Sequence, residues 1–364
     1  MKIAVLGCGA MGGIVAIGLH RAGYQPLLID TWRPHVEAIR TTGFLQTGDY
    51  GGNDVRWQGV IPAIHTDELD SIKMQFDAVF LSVKGFDTAW ATNLIKPFLA
   101  PDGMVISVQN GINEPTIAEI VGPERTIGCE TYMGGQTWEP GHIHRTLGGR
   151  SPGVMDYIIG EYQNKITQRV ESLAQIIRDS IGTVGVSASI MDAVWTKFTA
   201  NCGANLLAAI TSWDGRELVL NGCSRYRWGL QAEVIELAQA LGYEIETQIS
   251  VDDLKLAASG LLPDLESAAI EQAKVLDVVT RSSTLHDALR GTPMEVDQLN
   301  GYVVKQALEI ELPVPYNSAL VDVATLVNQH TLRPHPGNLG LFVERLAEQW
   351  KLSSWVGYHD SPWQ

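Results

Sequence analysis

The chain has 364 residues, with 26 Lys plus Arg against 41 Asp plus Glu, a formal charge of −15. That acidity argues against a nucleic-acid binder, whose phosphate contacts need a basic face. Apolar residues make up 45% of the chain and charged ones 18%, which excludes a largely disordered protein and supplies core for about two domains.

The N-terminus enters an apolar run at once, Ile3-Ala4-Val5-Leu6, without the charged leader and cleavage site of a signal peptide. No stretch reaches the roughly 18 uninterrupted apolar residues of a spanning helix. The expectation is a soluble cytoplasmic protein with no membrane or nucleic-acid partner. Cys8, Cys129, Cys202 and Cys223 are far apart and form no CxxC pair, so neither a disulfide framework nor a zinc site is indicated and a reducing compartment is expected.

Up to about residue 190, short β-rich runs alternate with helical patterns. A strand at Ile3 to Leu6 is followed by a helix at Gly12 to Ala22, then strands at Leu27 to Ile29, Ala78 to Val83 and Met104 to Val108. This rhythm predicts a parallel sheet with crossover helices. From Gly134 to about Ile159 the composition turns to Gly, Pro and His, with alternation such as His142-Ile143-His144, which predicts antiparallel strands or a hairpin extending the sheet. Thr183 to Val186 reads as one last strand. Beyond it, helical periodicity runs over 193–210, 226–242, 264–281, 295–310 and 317–329. The predicted fold is an α/β Rossmann-type N-terminal domain over residues 1–187 and a mostly α-helical domain over 188–364. The tail, with Trp350, Trp355, Tyr358 and Trp363, carries many aromatics and is expected to pack on the body or on a neighbouring subunit, which leaves a homodimer open.

Gly7-Cys8-Gly9-Ala10-Met11-Gly12 is a GxGxxG between a strand and a helix. Gly7 permits the tight turn, Gly9 leaves room for a pyrophosphate against the backbone, and Gly12 lets helix and strand pack closely, while the helix start offers unpaired N–H groups. Asp30, at the end of the second strand, is placed to accept hydrogen bonds from ribose hydroxyls and to repel a 2′-phosphate. The predicted ligand is therefore NAD(P)H, with Asp30 favouring NADH; Arg33 nearby is the residue that could reverse that preference. Lys84 and Asn110 follow later strands, at the carboxyl ends where an open sheet binds its ligand, although each also suits a turn.

In the stretch 193–210, Lys197, Asn201 and Asn205 recur every four residues, a stripe about 80° wide on an otherwise apolar helix. A solvated face would carry several long charged side chains; this one has one Lys and two short amides, and reads better as a buried polar stripe facing a cleft. Glu295 lies in Thr292-Pro293-Met294-Glu295, which on spacing alone spells a capping box opening a helix. His142 and His144 share a strand face with no carboxylate at ligand spacing, so no metal site is predicted.

Taken together, these segments resemble the ketopantoate reductase (2-dehydropantoate 2-reductase) family along nearly the whole chain. The supporting text is GCGAMG at 7–12, SVKGFDT at 82–88, QNG at 109–111, WTKFTANCGAN at 195–205, and SSTLHD through TPMEVDQLNG at 282–301. The resemblance implies a cytoplasmic oxidoreductase of pantothenate biosynthesis that reduces a small 2-oxo acid with NAD(P)H. Lys197 matches the family's general acid and Glu295 the acid that binds the substrate hydroxyl. Asn110, Asn201, Asn205 and Ser283 match substrate or nicotinamide contacts, Lys84 a cofactor-side lysine, and Gly7, Gly9, Met11 and Gly12 the nucleotide loop. Gly215 and Thr280 depart from amides usual in the family, and Asp30 departs from a basic residue. These departures keep open a related branched 2-oxo or 2-hydroxy acid, or a dinucleotide sensor without turnover.

Overall fold

A computed structural model describes residues 1–147, 155–247, 249–275 and 281–352. The chain divides into two compact units, Met1–Val194 and Trp195–Gln364.

The first unit holds the strands: β1 (Ile3–Leu6), β2 (Leu27–Asp30), β3 (Phe44–Tyr50), β4 (Asn53–Asp54), β5 (Trp57–Gly59), β6 (Ala63–His65), β7 (Phe76–Leu81), β8 (Leu99–Ser107), β9 (Thr126–Thr131), β10 (Gly134–Glu139), β11 (His142–Leu147), β12 (Tyr157–Glu161) and β13 (Val184–Val186). Its helices are α1 (Ala10–Arg21), α2 (Arg33–Thr41), α3 (Thr88–Ile95), α4 (Glu114–Val121) and α5 (Gln168–Ser180). Eight strands form one sheet in the order β13-β12-β9-β8-β7-β1-β2-β6, and β12 pairs antiparallel with β9 while the other neighbours run parallel. The chain leaves β1 for β2 on one side and returns to β7 on the other, which makes the carboxyl end of β1 the topological switch point. Near-continuous apolar runs such as Ile3 to Leu6 and Ala78 to Leu81 are fully buried, as strands covered on both faces must be.

The region from Gly134 to about Ile159 divides between two sheets: β12 extends the main sheet antiparallel to β9, as the sequence predicts, whereas the hairpin before it does not. β10 and β11 do form an antiparallel hairpin, but it joins β3 and β4 in a separate five-stranded sheet instead of extending the main one. The cause is β3, which the sequence reading did not anticipate: β11 pairs with it in parallel over His142↔Leu45 to Arg145↔Gly48. At Gly48, with φ +116°, a Cβ would fall 2.0 Å from the Arg145 carbonyl oxygen, so only glycine tolerates this register.

The division between the units falls inside α6 (Ile190–Cys202). The second unit continues with α7 (Asn205–Thr211), α8 (Gly215–Leu220), α9 (Ser224–Ala240), α10 (Val251–Ala258), α11 (Pro263–Val275), α12 (Ser283–Arg290), α13 (Asn300–Glu309), α14 (Pro315–Asn328) and α15 (Asn338–Leu352). Its core gathers Leu206, Leu230, Leu285, Leu320, Val323 and Phe342, with Trp350 packed against it. Trp355, Tyr358 and Trp363 lie outside the described residues, as does Thr280. Among the described residues no helix is long and apolar enough to cross a membrane.

Candidate active site

The first group of predicted residues gathers at the switch point. Gly7 has φ +89°, and a Cβ there would lie 2.8 Å from the backbone of Ser82 and Val83, the chain just after β7. A Cβ on Gly12 would lie 1.9 Å from the Gly7 carbonyl oxygen, so strand and helix meet at a distance that excludes any side chain. Gly9 differs, because a Cβ there would meet nothing closer than Thr137 Oγ1 at 3.8 Å, which leaves its backbone open to approach. Gly9 caps α1 without a side-chain hydrogen bond, and the first turn of α1 carries no acid. Uncapped N–H groups, an acid-free first turn and an open backbone suit a phosphate, so the start of α1 fits a dinucleotide. Met11 sits half-buried in that first turn against the core.

Asp30 does more than end β2. Its Oδ2 accepts from the Cys8 N–H at 2.6 Å and its Oδ1 from the Trp32 N–H at 2.7 Å, which fastens the glycine loop to the loop after β2. His35 adds a second tie: Nδ1 accepts from the Gly141 N–H, so Nε2 carries the proton and donates to the Cys8 carbonyl at 2.9 Å. Burial lowers the pKa of this imidazole, in keeping with the neutral form. Trp32 stacks on His35 with ring centroids 5.2 Å apart and planes 5° from parallel. Arg33 pairs with Asp67 Oδ2 at 3.0 Å and touches His65 Nδ1 at 3.2 Å.

Lys84 and Asn110 stand half-buried after β7 and β8. Gln109, buried between them, donates through Nε2 to the Val83 carbonyl at 3.0 Å and to Thr88 Oγ1 at 2.8 Å. Thr88 donates to Asn113, whose amide donates to the Asn110 carbonyl at 2.8 Å, so the two loops hold one another. The QNG text contains Gln109 and the SVKGFDT text ends on Thr88, neither with an assigned role, and nothing in the sequence pattern points to Asn113. His142 and His144 do share a face, and both bond Thr47 Oγ1, at 2.8 and 3.0 Å. Among the described residues no group of three or more His, Cys, Asp or Glu is arranged to hold a metal.

In the second unit the predicted helix 193–210 is two helices. α6 ends at Cys202 and α7 begins at Asn205, with a turn at Gly203 and Ala204 between them. Gly203 is buried, and a Cβ there would lie 2.6 Å from the Gln231 side chain. Lys197 and Asn201 keep their common face on α6, whereas Asn205 opens α7; all three are half-buried.

Glu295 supplies the second correction. Residues 292–295 are not helical and α13 starts only at Asn300, so Thr292 and Glu295 form no capping box. The Met294 N–H donates to Asn328 Oδ1 at 2.8 Å, and Met294 and Val296 are buried in the core, which ties this stretch to α14. Glu295 is thus a carboxylate 4% exposed that lies ahead of α13, whose N-cap is Leu299. Ser283 is half-buried at the first position of α12, after Ser282, which accepts from the Leu285 N–H as N-cap. Gly215 occupies the first position of α8, whose true capping box pairs Asp214 with Glu217, and a Cβ on Gly215 would meet nothing within 4 Å.

Comparison with known proteins decides the family. Residues 3–153 match the model of Ketopantoate reductase PanE/ApbA and residues 189–328 that of Ketopantoate reductase PanE/ApbA C terminal. The chain belongs to the ketopantoate reductase family. It is 27% identical to a 2-dehydropantoate 2-reductase of Halobacterium salinarum, over 90% of this chain and 99% of the relative, and 25% identical to one of Mesorhizobium japonicum, over 88% and 96%. Among solved structures, a PanE/ApbA family ketopantoate reductase from Ralstonia eutropha superposes with TM-score 0.72 at 27% identity, covering 91% of this chain and 99% of that one. D-mandelate dehydrogenase in complex with NADH and anilino(oxo)acetate has the same fold, with TM-score 0.75 at 20% identity over 91% and 99%. The family reduces 2-dehydropantoate with NAD(P)H, and this ketopantoate reductase family member is an oxidoreductase acting on a CH–OH group.

Proposed function

We propose that this protein reduces a small 2-oxo acid, 2-dehydropantoate (ketopantoate) foremost, with Lys197 as general acid. The reading rests most on Lys197 and Asn201, which share a half-buried face of α6 in an otherwise apolar helix. The Lys197 ammonium donates the proton to the ketone oxygen and its charge stabilises the alkoxide developing there. Glu295 accepts from the hydroxyl neighbouring the carbonyl, and Asn201, Asn205, Ser283 and Asn110 orient the acid. When bound, reduced nicotinamide supplies the hydride. Gly7, Gly9, Met11, Gly12 and the start of α1 hold the pyrophosphate, and Lys84 and Asn110 hold the nicotinamide side.

Asp30 favours NADH over NADPH, because a 2′-phosphate would meet its carboxylate. Arg33, the nearby cation, is engaged with Asp67. Gly215, with open space where a side chain would stand, favours a bulkier branched 2-oxo acid as the second substrate class. A spectrophotometric panel of 2-oxo acids with NADH and NADPH, run on wild type and Lys197→Ala, tests the proposal. Turnover of ketopantoate or a close analogue is expected, with a loss on the order of 10²-fold or more in the variant. No turnover on any acid, with cofactor still bound, would favour a sensor instead.

A further inference from the structure

The break between α6 and α7 leaves a helix end inside the second unit, where a carbonyl without a partner would cost about 1–3 kcal/mol. Asn300 meets it. Its Nδ2 donates to the Cys202 carbonyl at 3.0 Å and also to Asn317 Oδ1 at 2.7 Å. Asn317 in turn donates through Nδ2 to the Leu230 carbonyl at 3.2 Å and to Glu233 Oε2 at 2.7 Å. The Glu233 carboxylate also accepts the Tyr316 and Asn317 N–H groups at the start of α14, at 2.8 and 2.9 Å. Asn300 and Asn317 are both 0% exposed. One connected set of hydrogen bonds thus joins α6, α9, α13 and α14.

Two features go beyond ordinary helix capping. Cys202 directly follows Asn201 on the helix that carries Lys197, while Asn300 opens α13 at the end of the stretch that carries Glu295. The amide therefore spans the two backbones that present the proposed catalytic groups. Its orientation is also fixed: both acceptors need N–H, and Asn300 Oδ1 is left buried with no partner among the described residues. An apolar side chain would take this donor away from the Cys202 carbonyl and Asn317 Oδ1, whereas the amide serves both at the cost of its own buried oxygen, which points to a demand on geometry.

We infer that Asn300 is a positioning residue, whose amide fixes the Glu295 stretch against the end of the Lys197 helix for proton transfer. This rests on the roles proposed above for Lys197 and Glu295. Displacement of a reacting group by about 1 Å costs on the order of 10²-fold in rate.

The test uses the full-length protein at saturating cofactor and 2-oxo acid, with Asn300→Ala, Asn300→Asp and the core control Val323→Ala compared in kcat, KM and Tm. Asn300→Asp keeps the volume but turns an acceptor toward two acceptors. Both Asn300 variants are expected to lose about 10- to 10²-fold in kcat, well beyond Val323→Ala at a comparable fall in Tm, with KM for NAD(P)H unchanged. Should they fail to fold, Asn317→Ala, which leaves the bond to Cys202 in place, is expected to lose kcat by a smaller factor. Full kcat in the folded Asn300 variants, or a loss no larger than that of Val323→Ala, would overturn the inference; for Asn317→Ala the same result would. A dead Lys197→Ala beside a fully active Asn300→Asp would sink this inference alone, whereas an active Lys197→Ala would sink the reading beneath it.

Discussion

The turn after β1 and the break after α6 are both places where a regular element stops beside chain that must be kept close, yet they are held by different means. At the first, glycines remove side chains altogether: a Cβ on Gly12 would intrude to 1.9 Å from a carbonyl oxygen, and the contact is backbone on backbone. At the second, buried side chains bridge the gap, with Asn300 reaching Cys202 and Asn317 reaching Glu233. Backbone contact tolerates no substitution but needs no partner, whereas a side-chain bridge depends on residues far along the chain. The first kind of site should fail abruptly when altered, and the second by degrees.

Gly12→Ala is the sharpest way to break that comparison. Its added methyl has no space, so a destabilisation of at least about 1–3 kcal/mol and loss of dinucleotide binding are expected in thermal melts and NADH titrations. A variant that melts and binds like wild type would show that the loop is not held by backbone contact.

Glu114 sharpens the comparison through pH. Burial, reinforced by the nearby charge of Glu130, raises its pKa from 4.5 to about 7 in the folded chain. The folded state therefore holds a proton that the unfolded chain releases. The associated stability is complete below about pH 4.5 and is lost as pH rises through about 7. Glu114→Gln should flatten this fall, by a margin on the order of 3 kcal/mol, in denaturant titrations across that window. An unchanged slope would mean that Glu114 ionises freely when folded.

Asp30→Ala should have a smaller, mixed effect. It strips the acceptor from the Cys8 and Trp32 N–H groups, and it is expected to cut the preference for NADH over NADPH about tenfold, or about 1.4 kcal/mol. Equal KM ratios in variant and wild type would assign Asp30 to loop support alone. Smallest of all, Gly215→Asn should leave stability within about 0.5 kcal/mol, since nothing lies within 4 Å of its Cβ, while shifting relative turnover toward the smaller 2-oxo acids.

How much of this was legible in the sequence follows the same division. The glycine loop, the parallel strands and the place of Asp30 at the end of β2 could be read directly, because a backbone that must turn or approach closely restricts residue type at fixed local spacing. Lys197 and Asn201 were legible as a polar stripe for the same local reason. The helix break at Gly203 was not, because the residue that excludes a side chain there, Gln231, comes from α9. The capping-box reading of Glu295 failed because local spacing cannot register how Met294 and Val296 are buried in the core and tied to Asn328 of α14. The second sheet was missed for a related reason, since β3 and β11 pair across a long stretch of chain. Gln109, His35, Asn300 and Asn317 act through partners distant in sequence, and no pattern within a window announces them.

The central claim is that the Lys197 amine is the proton donor. Its most direct test is to measure NADH binding and saturated turnover of the preferred 2-oxo acid in parallel for wild type and Lys197→Ala. The account predicts unchanged NADH affinity with kcat lower by about 10²-fold or more. Wild-type turnover in the variant would contradict it.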